Sequence, residues 1–184
     1  MSRVLAKRKL VVHPASADDG LAVAVTLSRL GRDALKLEYV VVGAVDALVV
    51  PAETLAERRE NLWQTTCFEA FLGSEREPSY LEFNFSPSRQ WANYRFSGYR
   101  TEMQPETGFK IDIVREALTD ERLAITATIA PRNGERPLFL ARGTNIGLSA
   151  VIERKEGGKS YWALEHRSGT PDFHDPACFT LKLD

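Results

Sequence analysis

A chain of 184 residues, 43% of them hydrophobic, is long enough to bury one sizeable core, and the length favours a single domain over residues 1–184. Its 24 basic and 25 acidic residues leave a net charge of −1, and no basic run extends beyond Lys7, Arg8 and Lys9, so the electrostatic footprint of a nucleic-acid binder is missing. Leu10, Val11 and Val12 are stopped at once by His13 and Pro14; neither a signal peptide nor a membrane span is expected, and a cytoplasmic protein is.

The dominant hydrophobic period is two, the period at which successive side chains of an extended backbone face opposite sides. Leu21, Val23, Val25 and Leu27 alternate with Ala22, Ala24, Thr26 and Ser28, and Leu35, Leu37, Tyr39 and Val41 follow with Lys36 and Glu38 between them. Pro51 precedes a charged stretch, Glu53 to Asn61, that reads as a short helix in a connection. Three strands are expected between Leu62 and Arg100, broken by the polar segments Gly73 to Ser79 and Ser86 to Ser88. Leu123, Ile125, Ala127 and Ile129 alternate again, Asn133-Gly134 and Gly157-Gly158 are hairpin-turn dipeptides, and Phe179, Leu181 and Leu183 close the pattern. About ten or eleven short strands result, which makes the expected fold all-β: a two-sheet antiparallel β-sandwich. Cys67 and Cys178 each sit in an apolar or alternating run and read as free, small hydrophobes; a single disulfide is the alternative.

The middle strands carry the chemistry. By parity, Phe68, Ala70 and Leu72 take the core in the first, Leu81, Phe83 and Phe85 in the second, and Ala92, Tyr94 and Phe96 in the third. The opposite face then gathers Trp63, Glu69, Glu82, Asn84, Trp91 and Arg95. Indole rings stack on the C–H face of a pyranose while carboxylates, an amide and a guanidinium fix hydroxyls, so this set is suited to a sugar. A solvated sheet face with a Glu–Arg pair explains the charges equally well, but leaves two large aromatics without a use.

The run Leu62-Trp63-Gln64-Thr65-Thr66-Cys67-Phe68-Glu69-Ala70-Phe71-Leu72, followed by Tyr80-Leu81-Glu82-Phe83-Asn84, resembles the DOMON-like superfamily and the related family 9 carbohydrate-binding modules. The likeness extends more weakly to Trp91-Ala92-Asn93-Tyr94-Arg95-Phe96 and the final strands. It implies a β-sandwich whose members bind sugars or haem, with Trp63, Glu69, Glu82 and Asn84 as matched positions. Thr66 departs from the pattern, since sugar-binding relatives carry an aspartate there.

These readings give a non-enzymatic binder of a small-molecule or glycan ligand, with no cofactor, metal, nucleic-acid or membrane partner. Two other functions are weighed against it. Haem would need Met103 and His166 as axial ligands, the pair that the haem-binding branch of the resemblance implies. Glycoside chemistry would need Glu69 and Glu82 as a carboxylate pair, yet both are expected on an open face beside Arg95, which would keep them ionised. Near the end, Trp162, Glu165, His166, Asp172, His174 and Asp175 lack metal-site spacing. Pro171-Asp172-Phe173-His174 reads instead as a polar clamp across one edge of the sandwich, with Phe173 in the core and Asp172 accepting backbone N–H bonds.

Overall fold

The computed structural model describes residues 2–16, 20–132 and 143–183, so the expected Asn133-Gly134 turn lies outside the described residues. Among those described, thirteen strands form two antiparallel sheets. The smaller sheet has the order β1 (Ser2–Lys9), β3 (Ala22–Leu30), β4 (Ala34–Val42), β10 (Arg122–Pro131), β9 (Phe109–Leu118). The larger runs β2 (Val11–Val12), β12 (Lys159–Ala163), β11 (Asn145–Glu153), β5 (Cys67–Ser74), β6 (Glu77–Phe85), β7 (Trp91–Phe96), β8 (Gln104–Pro105), with β13 (Leu181–Lys182) also paired to β11. Gly157 and Gly158, at φ 93 and 86, make the turn between β11 and β12 that only glycine adopts without strain.

The alternating apolar residues meet between the sheets. Val23, Val25, Leu27, Leu35, Leu37 and Val41 of the small sheet share one core with Phe68, Ala70, Leu72, Leu81, Phe83 and Phe85 of the large one. Tyr39 lies fully buried among them, and its hydroxyl donates to the backbone oxygen of Glu69 at 2.6 Å, tying the sheets together. Tyr39→Phe leaves that carbonyl short of one donor; urea unfolding should show a loss of about 1–2 kcal/mol, and an unchanged midpoint would mean the bond contributes nothing net.

Two expectations are corrected. Glu53 to Asn61 is not helical: it runs in irregular and extended backbone, bridging in parallel to Trp91 through Arg58. Trp91 N–H donates to Glu57 O and Arg59 N–H to Trp91 O, so the edge of β7 satisfies this segment in place of a helix. The facing of β7 is also reversed. Phe85 pairs with Trp91, Asn84 with Ala92 and Glu82 with Tyr94, and directly opposed residues share a face. Ala92, Tyr94 and Phe96 therefore lie with Asn84, Glu82 and Tyr80, whereas Trp91, Asn93 and Arg95 point to the side of Phe85, Phe83 and Leu81. The cause is a second apolar cluster on the outer face of the large sheet, Leu62, Cys67, Phe71, Tyr80, Ala92, Tyr94, Phe96 and Phe179. With both faces of the sheet buried, the polar–apolar contrast that marks the inner face disappears.

Candidate functional site

The outer face of the large sheet is floored by polar groups taken out of water. Glu69 stands opposite Asn84 on β6 and Ser149 on β11, and Glu82 is two residues along from Asn84 on the same face. Glu69 and Glu82 are only 4% and 5% exposed, and Asn84 is fully buried. Asn84 Nδ2 donates to Glu82 Oε1 at 2.6 Å, and Ser149 Oγ donates to Glu69 Oε2 at 3.3 Å. Burial, reinforced by the negative charge of Glu82, holds the Glu69 carboxyl well above the ordinary carboxylate range. Burial lifts Glu82 to about 6 against the lowering effect of the Asn84 bond and the Arg100 charge.

A strap from Pro171 to Phe179 crosses this floor. Asp172 accepts from the backbone N–H of His174 at 3.1 Å, the kind of bond expected of it, and also from two side chains that were not expected, Tyr99 OH at 2.7 Å and Arg100 Nη2 at 2.9 Å. Phe173 packs only partly buried, and against the outer cluster rather than the inter-sheet core. His174 then turns inward. Its ring centroid lies 5.2 Å from Phe71, 5.1 Å from Phe96 and 5.8 Å from Tyr80. Tyr80 OH accepts from Arg100 N–H at 3.2 Å and so has its own proton to give to His174 Nδ1, 2.7 Å away. That assigns the remaining ring proton to Nε2, which sits 3.7 Å from Glu82 Oε2. Burial and the Arg100 charge lower the His174 pKa to about 4, so the imidazole is neutral at pH 7. Arg100 holds φ 53, an uncommon conformation for a non-glycine residue, and from there its backbone and its guanidinium both reach the strap's contacts.

Of the six residues named from sequence, Glu69, Glu82 and Asn84 share this face. The other three do not join them. Trp63 is 49% exposed on the 3₁₀ turn Leu62–Gln64 that precedes β5, and not on a strand. The neighbouring Leu62, Gln64 and Thr65, with Arg58, Glu60 and Gln90, line an open cleft of about 720 Å³. Trp91 packs against the inter-sheet core and beneath the Arg58 guanidinium, and Arg95 pairs with Glu106 at the β8 edge. The guanidinium that acts on both carboxyls is Arg100. Parity also missed Tyr80 and Tyr94 as floor residues because they look like core; the hydroxyl of Tyr94 donates to Glu60.

The Met103–His166 pair is overturned by the sheet order. Met103, 55% exposed, directly precedes β8 at one edge, while His166 Nε2 donates to Val11 O on β2 at the other. Six interstrand spacings of about 4.8 Å put roughly 29 Å of sheet between those edges, far beyond two bonds to one iron. The sequence argument that set Arg95 and an open face against a raised carboxyl pKa also fails, since Arg95 lies on the other side and the face is covered. Among the described residues no cluster of three or more His, Cys, Asp or Glu is placed to hold a metal, and Cys67 and Cys178 are both free.

No protein-family model matches the chain, and comparison with curated proteins gives no match. Among solved structures, the chain is similar to the crystal structure of a candidate carbohydrate-binding protein from Bacteroides uniformis, with a TM-score of 0.63 and 16% identity over 95% of this chain and 84% of the other. At that identity the likeness establishes the β-sandwich fold.

Proposed function

We propose that this protein is a non-catalytic binder of a small carbohydrate-type ligand, of the DOMON-like kind related to family 9 carbohydrate-binding modules, acting on the outer face of the large sheet. The observation that carries the reading is the floor itself: Glu69, Glu82, Asn84 and Ser149 are buried together among Phe71, Tyr80, Tyr94 and Phe96. Carboxyl and amide groups are kept in such a place at a desolvation cost, and between aromatic rings they offer the directional acceptors and donors that a ring of hydroxyls needs. The candidate carbohydrate binder with the same fold supports the reading. Trp63, exposed beside the open cleft, would supply a stacking surface at the rim.

Calorimetry with a panel of mono- and disaccharides tests it. A binder is expected, and Glu82→Gln and Asn84→Ala should each weaken it by about 1–2 kcal/mol, roughly tenfold, while Arg95→Ala on the far face leaves it unchanged. A panel with no binder, or a binder indifferent to both floor substitutions, rejects this site.

A further inference from the structure

Among the described residues, three buried side-chain polar atoms have no hydrogen-bond partner, and they fall in one place: Arg58 Nη2, Thr65 Oγ1 and Asn93 Nδ2. Arg58 and Thr65 line the open cleft of about 720 Å³, and Asn93 is the residue to which Arg58 is bonded. Each of the two lining residues is held in place by other atoms. Arg58 Nη1 donates to Asn93 O at 3.0 Å and to Asn93 Oδ1 at 3.2 Å, its Nε donates to Glu60 Oε1 at 3.2 Å, and its guanidinium lies over the rings of Tyr94 and Trp91 at 5.2 and 6.0 Å. Thr65 closes its turn through its backbone N–H on Leu62 O. Neither Nη2 nor the Thr65 hydroxyl takes part in this fastening, and a donor kept dry without an acceptor costs free energy that a ligand's acceptor would return.

The cleft is also unbalanced in sign. Its wall carries the guanidiniums of Arg58 and Arg59 against one carboxylate, Glu60, whose two oxygens are already taken by Arg58 Nε and Tyr94 OH. Glu57 is engaged as well, accepting from Gln90 Nε2 at 3.2 Å. What the wall has left to offer is donors, with Trp63 exposed on the turn beside it. A carboxylate suits that remainder, because its two oxygens can accept from a fixed guanidinium and a hydroxyl at once. Cleft and floor adjoin, since Tyr94, which bonds Glu60, stands directly opposite Glu82. We infer that this cleft is a carboxylate subsite, in which Arg58 Nη2 and Thr65 Oγ1 receive the acid group of a hexuronate-type sugar acid while Trp63 covers its ring. The inference rests on the carbohydrate reading above and names the ligand class within it.

Calorimetry at pH 7.5 with sodium glucuronate, and with glucose in matched sodium chloride, tests it. Glucuronate should bind at least tenfold tighter than glucose in the wild type, and the ratio should fall towards one in Thr65→Val, which exchanges only the orphaned hydroxyl for a methyl. Arg58→Lys, which keeps the charge but not the planar fork, should lower the ratio as well. Without ligand, Thr65→Val should melt no lower than the wild type, since the hydroxyl it removes has no partner there; a clearly lower melting temperature means that the hydroxyl is already bonded and overturns the subsite. Glucose binding that depends on Glu82, with glucuronate no tighter, leaves the carbohydrate reading standing and ends the subsite. If no sugar binds, but sodium acetate raises the melting temperature of the wild type above that in sodium chloride and fails to do so in Thr65→Val, the subsite stands and the carbohydrate reading falls.

Discussion

Phe179→Ala is expected to lower the unfolding free energy by about 3–4 kcal/mol, read as a shifted urea midpoint at constant slope. Phe179 is 6% exposed, stacks on Phe71 with ring centroids 5.5 Å apart and meets Tyr80 edge-on at 5.9 Å. It lies over Gly73 and Gly147, whose missing side chains make room for it: a Cβ on Gly147 would stand 2.6 Å from Phe179 Cδ1 and 3.3 Å from Phe71 Cβ. Removing the ring deletes buried apolar area and leaves a hole between two bare stretches of backbone that cannot collapse far. The complementary change, Gly147→Ala, attacks the same contact from below and should cost about 1–3 kcal/mol. Because the two changes share one contact, the double variant should lose clearly less than the sum. Additive losses, or a Phe179→Ala cost under about 1 kcal/mol, would show that the strap is not anchored here.

Glu69→Gln should make the protein clearly more stable at pH 8 and no more stable at pH 4. The carboxyls of Glu69 and Glu82 are both raised in the fold, so what they contribute is complete below their ordinary range and is lost as pH climbs through the folded values. For Glu82, raised from 4.5 to about 6, the loss above pH 6 is about 2 kcal/mol; Glu69 is raised in the same direction by its burial and by the Glu82 charge. An amide at position 69 can still accept from Ser149 and never has to ionise. His174 runs the other way, since its depressed pKa means that its contribution is present above its ordinary 6.5 and drains away as pH falls through about 4. Wild-type stability should therefore peak between these flanks, in mildly acidic solution. Urea unfolding of both proteins at pH 4, 6 and 8 decides the matter, and a difference that does not grow with pH contradicts the assignment.

The strands that the sequence marks well are those with one wet face. In β3 and β4 the residues Val23, Val25, Leu27, Leu35, Leu37 and Val41 are buried as their alternation predicts, because Lys36 and Glu38 supply real contrast. In β5 seven consecutive residues from Cys67 to Gly73 are buried, and the parity there survived only because Glu69 is a conspicuous marker. β7 had no such marker: Trp91 and Tyr94 are both large, aromatic and covered in part or whole, so chemistry alone could not orient the strand, and the five-residue loop 86–90 leaves its register open. Trp63 and Arg95 were misplaced for a related reason, since a period-two count runs on through the turn at Leu62–Gln64 and through an inverted strand. The strap was legible at Asp172, whose neighbours are local. Arg100 and Tyr80 reach it from more than 70 residues away, a distance over which only the folded chain supplies the meeting.

The first strand pair changes layer at a single residue. β1 pairs with β3 in the small sheet, β2 pairs with β12 in the large one, and the buried Leu10 between them is the only spacer. Both layers are thus stitched by one short thread, one end fastened close by at residues 24–30 and the other to a strand that begins at Lys159. Pairings of such long sequence separation cost loop-closure entropy before they return anything, which places folding on the millisecond-to-second scale of sandwiches. On a ribosome, the small sheet can gather β1, β3 and β4 early, while the polar floor waits for β11, β12 and finally Phe179 to arrive. Until then Glu69, Glu82 and their aromatic neighbours stand in water, and the outer face of the large sheet is an open groove in the nascent chain.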